Sequence, residues 1–320
     1  MYMAFRLFSK KDKTINLVFT DYAIRYVEIK QTSPLIIERC GERFIPDGLI
    51  RRGEIVDFDA LLTVLENCVD DWKIKHRMAR FIVPDHFVAM REEKVDADLQ
   101  DDEIKNYIFM QIGSTIHLPF EEPVFDVAVI GEQDGKKDVL LIAAPEEKVR
   151  DYMNVMEEAK LKPVAADIGP LSLYRLYHQE DITNAKAHEL MIHLTENVMM
   201  LSIFHEQQPK FMKPVFIEKN EDIVEVLGRE KDEAGELTDV LNELEKVINF
   251  YENSLHKGRV RIDKVFFNGD HPQSDFVHHH LETRLALRVY DNDAVEAVTK
   301  DGRALSPSFY EAAGLGLKEG

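Results

Sequence analysis

The chain is poor in cysteine and lacks long apolar runs. Two cysteines, Cys40 and Cys68, among 320 residues are too few for a disulfide framework. Two free thiols in a chain of this size are typical of a reducing cytoplasm. No run of about 18 apolar residues is present, so the sequence predicts no membrane-spanning helix.

Positive charge is also scarce. Lysine and arginine number 40 against 59 aspartates and glutamates, which gives a formal net charge of −19. A surface of this sign repels nucleic acid and anionic lipid, so neither is expected as a partner. The opening MYMAFRLFSKKDK runs from apolar to basic, the reverse of a secretory signal. It is interpreted as a frayed terminus, with a weak membrane-interface tag as the alternative.

Familiar catalytic motifs are missing from the sequence. There is no GxSxG, no P-loop and no HExxH. The consecutive histidines His278, His279 and His280 would splay by about 100° each on a helix, which disfavours a shared metal ion. Adjacent carboxylates such as Glu92 and Glu93 are common as solvated charge. The sequence therefore predicts neither a catalytic residue nor a metal site.

The stretch Ala165–His178 predicts a strand, a turn and a helix near the middle of the chain. Its apolar residues after Pro170 recur at helical spacing. Asp167 is placed to accept a hydrogen bond before the helix, and Pro170 suits the first helical turn. We take this stretch as the pivot between two halves of the chain.

The first half opens with a predicted hairpin, Thr14–Thr20 and Ala23–Lys30, joined by Asp21 and Tyr22. Leu35–Phe44 continues the sheet. A helix is predicted to start at Asp57, and a buried strand covers Arg80–Val83.

The segment between this strand and the pivot has strands and helices of its own, and we interpret it as an inserted subdomain. Its predicted elements are a strand at Phe87–Lys94, a helix at Gln100–Ile116, a strand pair at Phe125–Ile130 and Val139–Ala144 around Asp134-Gly135, and a helix at Pro145–Lys160.

The second half repeats the order of the first. The predicted strands are Glu189–His193, Val198–His205, Lys210–Ile217, Ile262–Asn268 and Ala286–Tyr290, and the predicted helices are Thr238–His256, Ser274–Leu285 and Ser308–Leu317. Residues Glu218–Leu237 are interpreted as an acidic mobile loop with a frayed helix. This order predicts an α/β fold of two lobes. Residues 1–84 are assigned to the N-terminal part of the first lobe, 85–163 to the inserted subdomain, 164–188 to the pivot helix region of the first lobe, and 189–320 to the second lobe.

Several short stretches occur in a characteristic order along nearly the whole chain. These are IRYVEIK (24–30), GLIRRGEIVDFDALLTVL (48–65), HLPFEE (117–122), LLIAAPEEKVRDYMNVMEEAKLKPVAADIGPLSLYRL (140–176), KVFFNGD (264–270) and AAGLGL (312–317). By their order and spacing, the sequence resembles the PilM family of type IV pilus assembly proteins and, more distantly, the cell-division protein FtsA. The resemblance implies the actin-like fold, with two lobes, two duplicated halves and an inserted subdomain.

The same resemblance implies a degenerate nucleotide cleft. In the family, an aspartate and a glycine in each phosphate hairpin precede a turn of small residues. These positions fall on Val18 and Thr20 in the first hairpin, and on His193 and Thr195 in the second. Without small turn residues and acidic side chains, neither phosphate nor hydrated magnesium is well held. The degenerate cleft residues are Asp21, Tyr22, Ala23, Thr195, Glu196, Asn197, Gly269 and Asp270.

The resemblance therefore implies a non-catalytic cytoplasmic scaffold with no cofactor, peripheral to the inner face of the cell membrane. It would serve the assembly platform of a type IV pilus or of a related competence or secretion system. The alternative is an actin-like ATPase that binds ATP and magnesium and acts by cleft closure or polymerisation. The expected partner is a PilN-like bitopic membrane protein, bound through its N-terminal cytoplasmic peptide, and a sheet edge beside an apolar helix suits such a peptide. Other pilus platform proteins and a homo-oligomer are further partners that the resemblance leaves open. The predicted groove residues are Met90, Arg91, Tyr107, Phe109, Ile112, Leu118 and Phe120.

Overall fold

The computed structural model describes residues 14–217, 233–290 and 295–318, with the backbone alone at 233–236. The predictions for the opening thirteen residues and for most of the acidic stretch 218–237 lie outside these ranges. Among the described residues, no helix has the length and apolar character needed to cross a bilayer.

The described residues form both strands and helices. The strands are β1 (Ile15–Phe19), β2 (Ala23–Gln31), β3 (Ile36–Phe44), β4 (Ile50–Arg51), β5 (Glu54–Ile55), β6 (Met78–Val83), β7 (Ala89–Asp96), β8 (Pro123–Gln133), β9 (Lys136–Pro145), β10 (Lys162–Ile168), β11 (Glu189–Leu194), β12 (Val198–His205), β13 (Gln208–Phe216), β14 (Lys264–Gly269), β15 (Val289–Tyr290) and β16 (Val298–Thr299). The helices are α1 (Phe58–Trp72), α2 (Asp101–Gln111), α3 (Glu146–Glu158), α4 (Gly169–Gln179), α5 (Glu233–Asn249), α6 (Ser274–Thr283) and α7 (Tyr310–Gly316). Single 3-10 turns precede β7 and α7, and a π-helix, Phe250–Leu255, follows α5.

The chain divides into two compact units. Unit 1 comprises Met1–Ile82, Met153–Asp181 and Val295–Gly320, and unit 2 comprises Val83–Tyr152 and Ile182–Ala294. The predicted inserted subdomain therefore groups with the second lobe up to Tyr152, while the rest of α3 belongs to unit 1.

Unit 1 contains a six-stranded sheet in the order β10-β6-β1-β2-β3-β16. Strand β1 is buried along its whole length, as expected for a central strand covered on both faces. Helix α1 begins, as predicted, at Asp57, whose carboxylate accepts a hydrogen bond from the Ala60 N–H at 3.0 Å. Helix α7 packs against β1, β2 and α4.

The pivot is a strand followed by a helix, as predicted, and Pro170 lies in the first turn of α4. The predicted capping role of Asp167 is wrong, because the cap position is Ile168, one residue later. The Asp167 carboxylate is buried, and its Oδ2 lies 2.9 Å from Arg175 Nη2 and 3.4 Å from Lys318 Nζ. Asp167 thus links helix α4 of the pivot to the C-terminal segment.

The predicted assignment of 189–320 to the second lobe is wrong for the C-terminal segment. Strand β16 pairs in parallel with β3, with Val298 opposite Ile36, so the segment completes the sheet of unit 1. Gly314 in α7 approaches α4 so closely that a Cβ there would lie 2.0 Å from the Ser172 carbonyl oxygen. Only glycine permits this contact between the helices.

The second lobe, in unit 2, contains a five-stranded sheet in the order β13-β12-β11-β14-β15. Apolar residues on one face of this sheet pack against α5, the π-helix and α6. The buried members include Leu190, Ile192, Leu194, Val240, Leu241, Leu244, Val247, Tyr251, Val277 and Leu281. The predicted strands and helices of this half are present, although β15 has only two residues.

The inserted subdomain is an antiparallel sheet in the order β7-β9-β8, with α2 packed on one face. The predicted Asp134-Gly135 turn is confirmed, and both residues have positive φ, 54° and 73°, as a tight hairpin requires. Helix α2 is shorter than predicted. It ends at Gln111 because Ile112 is extended and Gly113 takes φ 84°, although Ile112 and Ile116 keep the helical spacing of apolar residues.

Candidate functional site

The tip of the β1–β2 hairpin is closed by Thr20. Its backbone N–H donates to the Ala23 carbonyl oxygen at 2.9 Å, and its hydroxyl oxygen accepts the Ala23 N–H at 2.9 Å. The Tyr22 carbonyl oxygen accepts a hydrogen bond from the Ile45 N–H at 2.9 Å. The Ala23 amide that could face a phosphate is therefore already bound within the turn.

Asp21 binds a neighbouring turn of unit 1. Its carboxylate accepts the N–H groups of Arg52, at 2.7 Å, and Gly53, at 2.9 Å. These two residues join β4 to β5 with positive φ, so their amides converge on one acceptor. Tyr22 lies beside Arg25, whose guanidinium carbon is 5.5 Å from the ring centroid. The tip presents a carboxylate and a phenol ring rather than a cradle of small residues.

The β11–β12 hairpin of unit 2 has the same pattern of hydrogen bonds at its tip. The Thr195 N–H donates to the Val198 carbonyl oxygen at 2.9 Å, and the Thr195 hydroxyl lies 3.2 Å from the same oxygen. The Asn197 carbonyl oxygen accepts the Ile217 N–H at 2.9 Å. The tip also carries Glu196, so both hairpins place an acidic residue directly after the threonine.

The two positions at which the family carries aspartate are both uncharged or weakly basic. Val18 is buried in β1. His193 lies on β11 opposite Asn268 of β14, and the Asn268 amide nitrogen is 3.2 Å from His193 Nδ1. The Asn268 side chain is fully buried, and its Oδ1 accepts no hydrogen bond from any residue that the structure describes. Neither position therefore supplies a carboxylate.

The backbone geometry at position 269 requires a glycine. Gly269 has φ 142°, and a Cβ on it would lie 1.8 Å from the Leu194 carbonyl oxygen. The same oxygen accepts the Asp270 N–H at 3.1 Å. The end of β14 therefore approaches the backbone of β11 more closely than any larger residue would allow. This explains the glycine whether or not a nucleotide binds nearby.

The inserted subdomain presents the predicted groove residues of α2 and the following loop on one side. Tyr107, Ile112, Leu118 and Phe120 are half-buried against the core between α2 and the sheet. Phe109 differs, because 66% of its side chain is exposed. Phe109 is therefore a surface residue, whereas the other four contribute to the core as well as to the surface.

Phe109 pairs with an aromatic residue of the neighbouring strand. Its ring is stacked with that of Phe125 of β8, with centroids 6.3 Å apart and planes 10° apart. Lys105 Nζ lies 5.8 Å from the Phe125 centroid and 3.3 Å from the Asp126 carboxylate. Met110, next to Phe109, is 68% exposed. The prediction of groove residues omitted Phe125, Lys105 and Met110. The alternation of β8, which turns Phe125 and Val127 to α2, was the available signal.

Met90 and Arg91 do not lie on one surface. Arg91 is opposite Leu141, which belongs to the core under α2, whereas Met90 is opposite Ile142 on the other face of the sheet. Glu92 shares that second face, and its carboxylate lies 3.3 Å from Lys210 Nζ of β13. The prediction of a single groove that contains Met90 is therefore wrong, since adjacent residues of a strand point to opposite faces.

Strand β8 lies at the edge of its sheet. Among the described strands, none pairs with its outer side. Near its C-terminal end, the Ile130 carbonyl oxygen accepts a hydrogen bond from Gln208 Nε2 at 2.7 Å. The portion from Pro123 to Val129 is bounded on one side by the Phe109–Phe125 pair. An edge of this kind is a template for an added strand.

The remaining candidate residues form ordinary structural contacts. Within the described residues, no three His, Cys, Asp or Glu side chains are grouped to hold a metal ion. His278 and His280 lie near different carboxylates, those of Glu282 and Glu245. Burial raises the pKa of the Cys68 thiol to about 11, which leaves it protonated and unreactive at neutral pH.

Comparison with known proteins gives a family and a fold. A family model described as type IV pilus assembly protein PilM matches residues 17–237. A solved PilM-PilN type IV pilus biogenesis complex superposes with TM-score 0.78 and 19% identity, over 96% of this chain and 98% of the other. The ethanolamine utilization protein EutJ from Carboxydothermus hydrogenoformans superposes with TM-score 0.51 and 8% identity, over 95% and 88% of the two chains. A search of curated proteins found no match. The predicted actin-like α/β fold is confirmed.

Proposed function

Since the chain belongs to the PilM family of type IV pilus assembly proteins, we propose that it is a non-catalytic scaffold of the pilus assembly platform. In this proposal it binds the N-terminal cytoplasmic peptide of a PilN-like membrane protein through the inserted subdomain. The solved structure with TM-score 0.78 is that of a complex of PilM with PilN, which supports this class of partner. The placement rests on one observation: the exposed Phe109 is stacked on the half-buried Phe125, beside the outer edge of β8, with which no described strand pairs.

A peptide can use both features at once. Its main chain would pair with the outer edge of β8 at Pro123–Val129, and its apolar side chains would pack on Phe109 and Phe125. Met110 and Val129, which are 68% and 41% exposed, extend the apolar surface. Because few side chains form this surface, a small number of anchors should supply most of the binding free energy.

The charge around this surface favours a basic peptide. Glu121, Glu122 and Asp126 are exposed near Phe120 and Phe125, and Lys105 is the nearby cation. The whole chain carries −19, so basic residues in the peptide would accelerate association more than they strengthen the final complex.

We propose that the protein is not catalytic because of the residues at the tips of the two hairpins. A phosphate needs backbone amides that point outward from small residues, and Ala23 donates its amide to Thr20 instead. Asp21 and Glu196 add negative charge where phosphates would lie. No cofactor is proposed. The alternative, an ATPase that acts by cleft closure or polymerisation, requires nucleotide binding in spite of these residues.

Recruitment by the partner gives the location. We place the protein in the cytoplasm, peripheral to the inner face of the cell membrane and held there by the PilN-like protein. Other platform proteins, or a second copy of the chain, would share this site of assembly. Since no described helix can span a bilayer, the proposed attachment depends on the partner.

Peptide binding is tested by substitution of Phe109. The full chain, the Phe109→Asp variant and the Phe276→Asp variant are titrated with a labelled peptide from the N-terminal cytoplasmic segment of the PilN-like protein. Phe276 is a matched control, because it is 43% exposed on a helix of the second lobe. We expect Phe109→Asp to weaken binding roughly 30-fold, the loss of a hot-spot residue worth ~2 kcal/mol. Phe276→Asp should bind as the parent does.

Thermal unfolding of each variant ensures that only folded protein is compared. Equal affinity for the parent and Phe109→Asp would place the peptide elsewhere. Weaker binding by both variants would indicate a general charge effect rather than an anchor at Phe109.

Nucleotide binding is tested by thermal unfolding with Mg-ATP. A ligand that binds the native state raises its stability by mass action, so about 100-fold excess over Kd would add ~2.7 kcal/mol. We expect no rise in Tm at millimolar Mg-ATP and no phosphate release. A rise in Tm with Mg-ATP would favour the ATPase alternative and would leave the peptide-binding result intact.

A further inference from the structure

Three histidines from separate parts of the sequence meet in the second lobe. His188 directly precedes β11, His205 is the last residue of β12, and His256 follows the π-helix Phe250–Leu255. None of them takes part in the peptide-binding surface proposed above. Their side chains cluster around Tyr251, which is fully buried in the π-helix.

The rings of His188 and His205 are stacked in parallel. Their centroids are 3.9 Å apart and their planes differ by 10°. His188 Nδ1 lies 2.8 Å from the Tyr251 hydroxyl, and His205 Nδ1 lies 3.1 Å from the Ala187 carbonyl oxygen. A carbonyl oxygen can only accept, so the His205 Nδ1 carries a proton and donates it. The ring of His256 lies 5.7 Å from that of His188 and 4.6 Å from that of Tyr251.

Backbone contacts connect this cluster to the sheet. The His188 N–H donates to the Asp263 carboxylate at 3.1 Å, and the Asp263 N–H donates to the His188 carbonyl oxygen at 3.0 Å. Asp263 directly precedes β14. The cluster therefore holds together the base of the β11–β12 hairpin, the π-helix and the entry to β14.

We propose that the stacked pair His188 and His205, together with His256, is a proton-sensitive latch that holds the β11–β12 hairpin to the π-helix at neutral pH and loosens in acid. Neutral imidazoles stack favourably and share hydrogen bonds with Tyr251 and Ala187. Once two rings at 3.9 Å carry charge, they repel each other. A positive ring at His188 must also be accommodated beside the buried Tyr251.

The direction of the pH effect follows from His188. Burial lowers its pKa, and the nearby His205 and His256 lower it further. The negative groups that face it, Asp263 and Glu206, act in the opposite direction but do not reverse the shift. Glu92 of β7 acts on the adjoining Tyr251. Since the folded chain holds His188 neutral to a lower pH than the unfolded chain, the unfolded chain binds more protons below pH ~6.5, and stability is lost as the pH falls below that value.

Hydrogen exchange of the intact chain tests the latch. Exchange is measured at pH 7.5, 6.5 and 5.5 and corrected for the intrinsic pH dependence of the amide. We expect exchange at Phe250–Leu255 and Val198–His205 to accelerate about threefold or more between pH 7.5 and 5.5, because the opened chain binds more protons in acid than the folded chain does. Exchange at Ile15–Phe19 of unit 1 serves as the internal reference. The proposal is overturned if the π-helix responds no more than this reference.

Two further measurements identify the groups involved. His205→Phe keeps a ring in the stack but cannot be protonated, and it should at least halve the acid response. His279→Phe changes an exposed histidine of α6 and should leave the response as in the parent. An unchanged response in His205→Phe contradicts the latch. If that variant does not fold, NMR titration of the histidine rings in the parent decides, because a His188 pKa at or above its ordinary value also contradicts it.

Discussion

The two hairpins β1–β2 and β11–β12 share one pattern of hydrogen bonds, which we call the frame, and differ in the side chains that surround it. In each, a threonine N–H donates to the carbonyl oxygen three residues later at 2.9 Å, and its hydroxyl lies 3.2 Å from the same atom. Ile45, directly after β3, and Ile217, directly after β13, each donate their N–H to a carbonyl oxygen of the turn at 2.9 Å. Two residues before the threonine, however, the first hairpin has a buried valine and the second has a histidine bound to Asn268.

The architecture of the two hairpins does not depend on the side chains that would contact a ligand. The frame is set by main-chain hydrogen bonds and by the sheet, so it persists when the side chains change. The family resemblance assigns Val18 and His193 to the positions of the two aspartates, and Asp21 and Glu196 to the turns that follow. The same backbone pattern therefore forms in both halves with different side chains at these positions, and the proposed scaffold role rests on those side chains.

The largest loss of stability is expected at two glycines, one in each unit, where two segments of the backbone come into contact. Gly269→Ala in unit 2 and Gly314→Ala in unit 1 would place a Cβ 1.8 Å and 2.0 Å from a carbonyl oxygen. Each should lower the free energy of unfolding by about 4 kcal/mol or more, because no side chain can move to relieve the overlap. Gly135→Ala, with no atom within 4 Å of the added Cβ, should cost only about 1–2 kcal/mol through its positive φ. Urea unfolding measures all three, and equal losses would refute the close-approach explanation.

A smaller loss of stability is expected at Glu28 in unit 1. Its dependence on pH distinguishes the acid response of unit 1 from that of unit 2. Glu28 in β2 receives hydrogen bonds from Arg39, at 2.7 Å, and from Arg77, at 2.8 Å. Burial raises its pKa, but the hydrogen bonds and charges of Arg77 and Arg39 outweigh burial, so the pKa lies below its ordinary value. The stability that Glu28 contributes is therefore present above pH ~4.3 and is lost as the pH falls through the lower, folded value.

Glu28→Gln should lower the free energy of unfolding by about 2 kcal/mol at pH 7, the value of hydrogen bonds to a charged group. It should also flatten the acid limb of the stability curve below pH ~4.3. Urea unfolding at a series of pH values checks both effects. An acid limb as steep as that of the parent would show that another carboxylate is responsible. The histidine latch of unit 2 responds at higher pH, so the two contributions can be separated.

The smallest effect is expected at the tip of the first hairpin. Asp21→Ala leaves the Arg52 and Gly53 amides without their acceptor and should cost about 1–2 kcal/mol. Asp21→Asn keeps one acceptor oxygen and should cost about half as much. Thermal unfolding of both variants measures the difference. If both variants are as stable as the parent, water replaces the carboxylate without cost and the contact does not fix the tip.

Much of the fold was predictable because its signals are local. The strands of both hairpins, the Asp57 cap of α1 and the Asp134-Gly135 turn each depend on a few neighbouring residues. Partnerships between distant segments were not predictable. Strand β16 has two residues, too few to show a period, and its partner β3 lies near the other end of the chain.

The site was predictable in part. The exposed Phe109 was named from the sequence, and so was the strand that carries its partner, Phe125. Met90 and Arg91 were assigned to one groove although the period of a strand places them on opposite faces. Which face α2 covers depends on packing across the sheet, which no single strand encodes. The backbone requirement at Gly269 also emerges only when β14 lies beside β11.

The path of the chain has a consequence for synthesis on the ribosome. Unit 1 needs β16 to complete the sheet that begins with β1, and β16 is translated long after β1, β2 and β3. At about 5–20 residues per second, β3 emerges tens of seconds before the strand that will cover its edge. Unit 2 has nearly all of its chain available by the time α6 has emerged. The nascent chain therefore carries an uncovered β3 edge until β16 has emerged, and a premature stop before Val298 would leave that edge open for association with other chains.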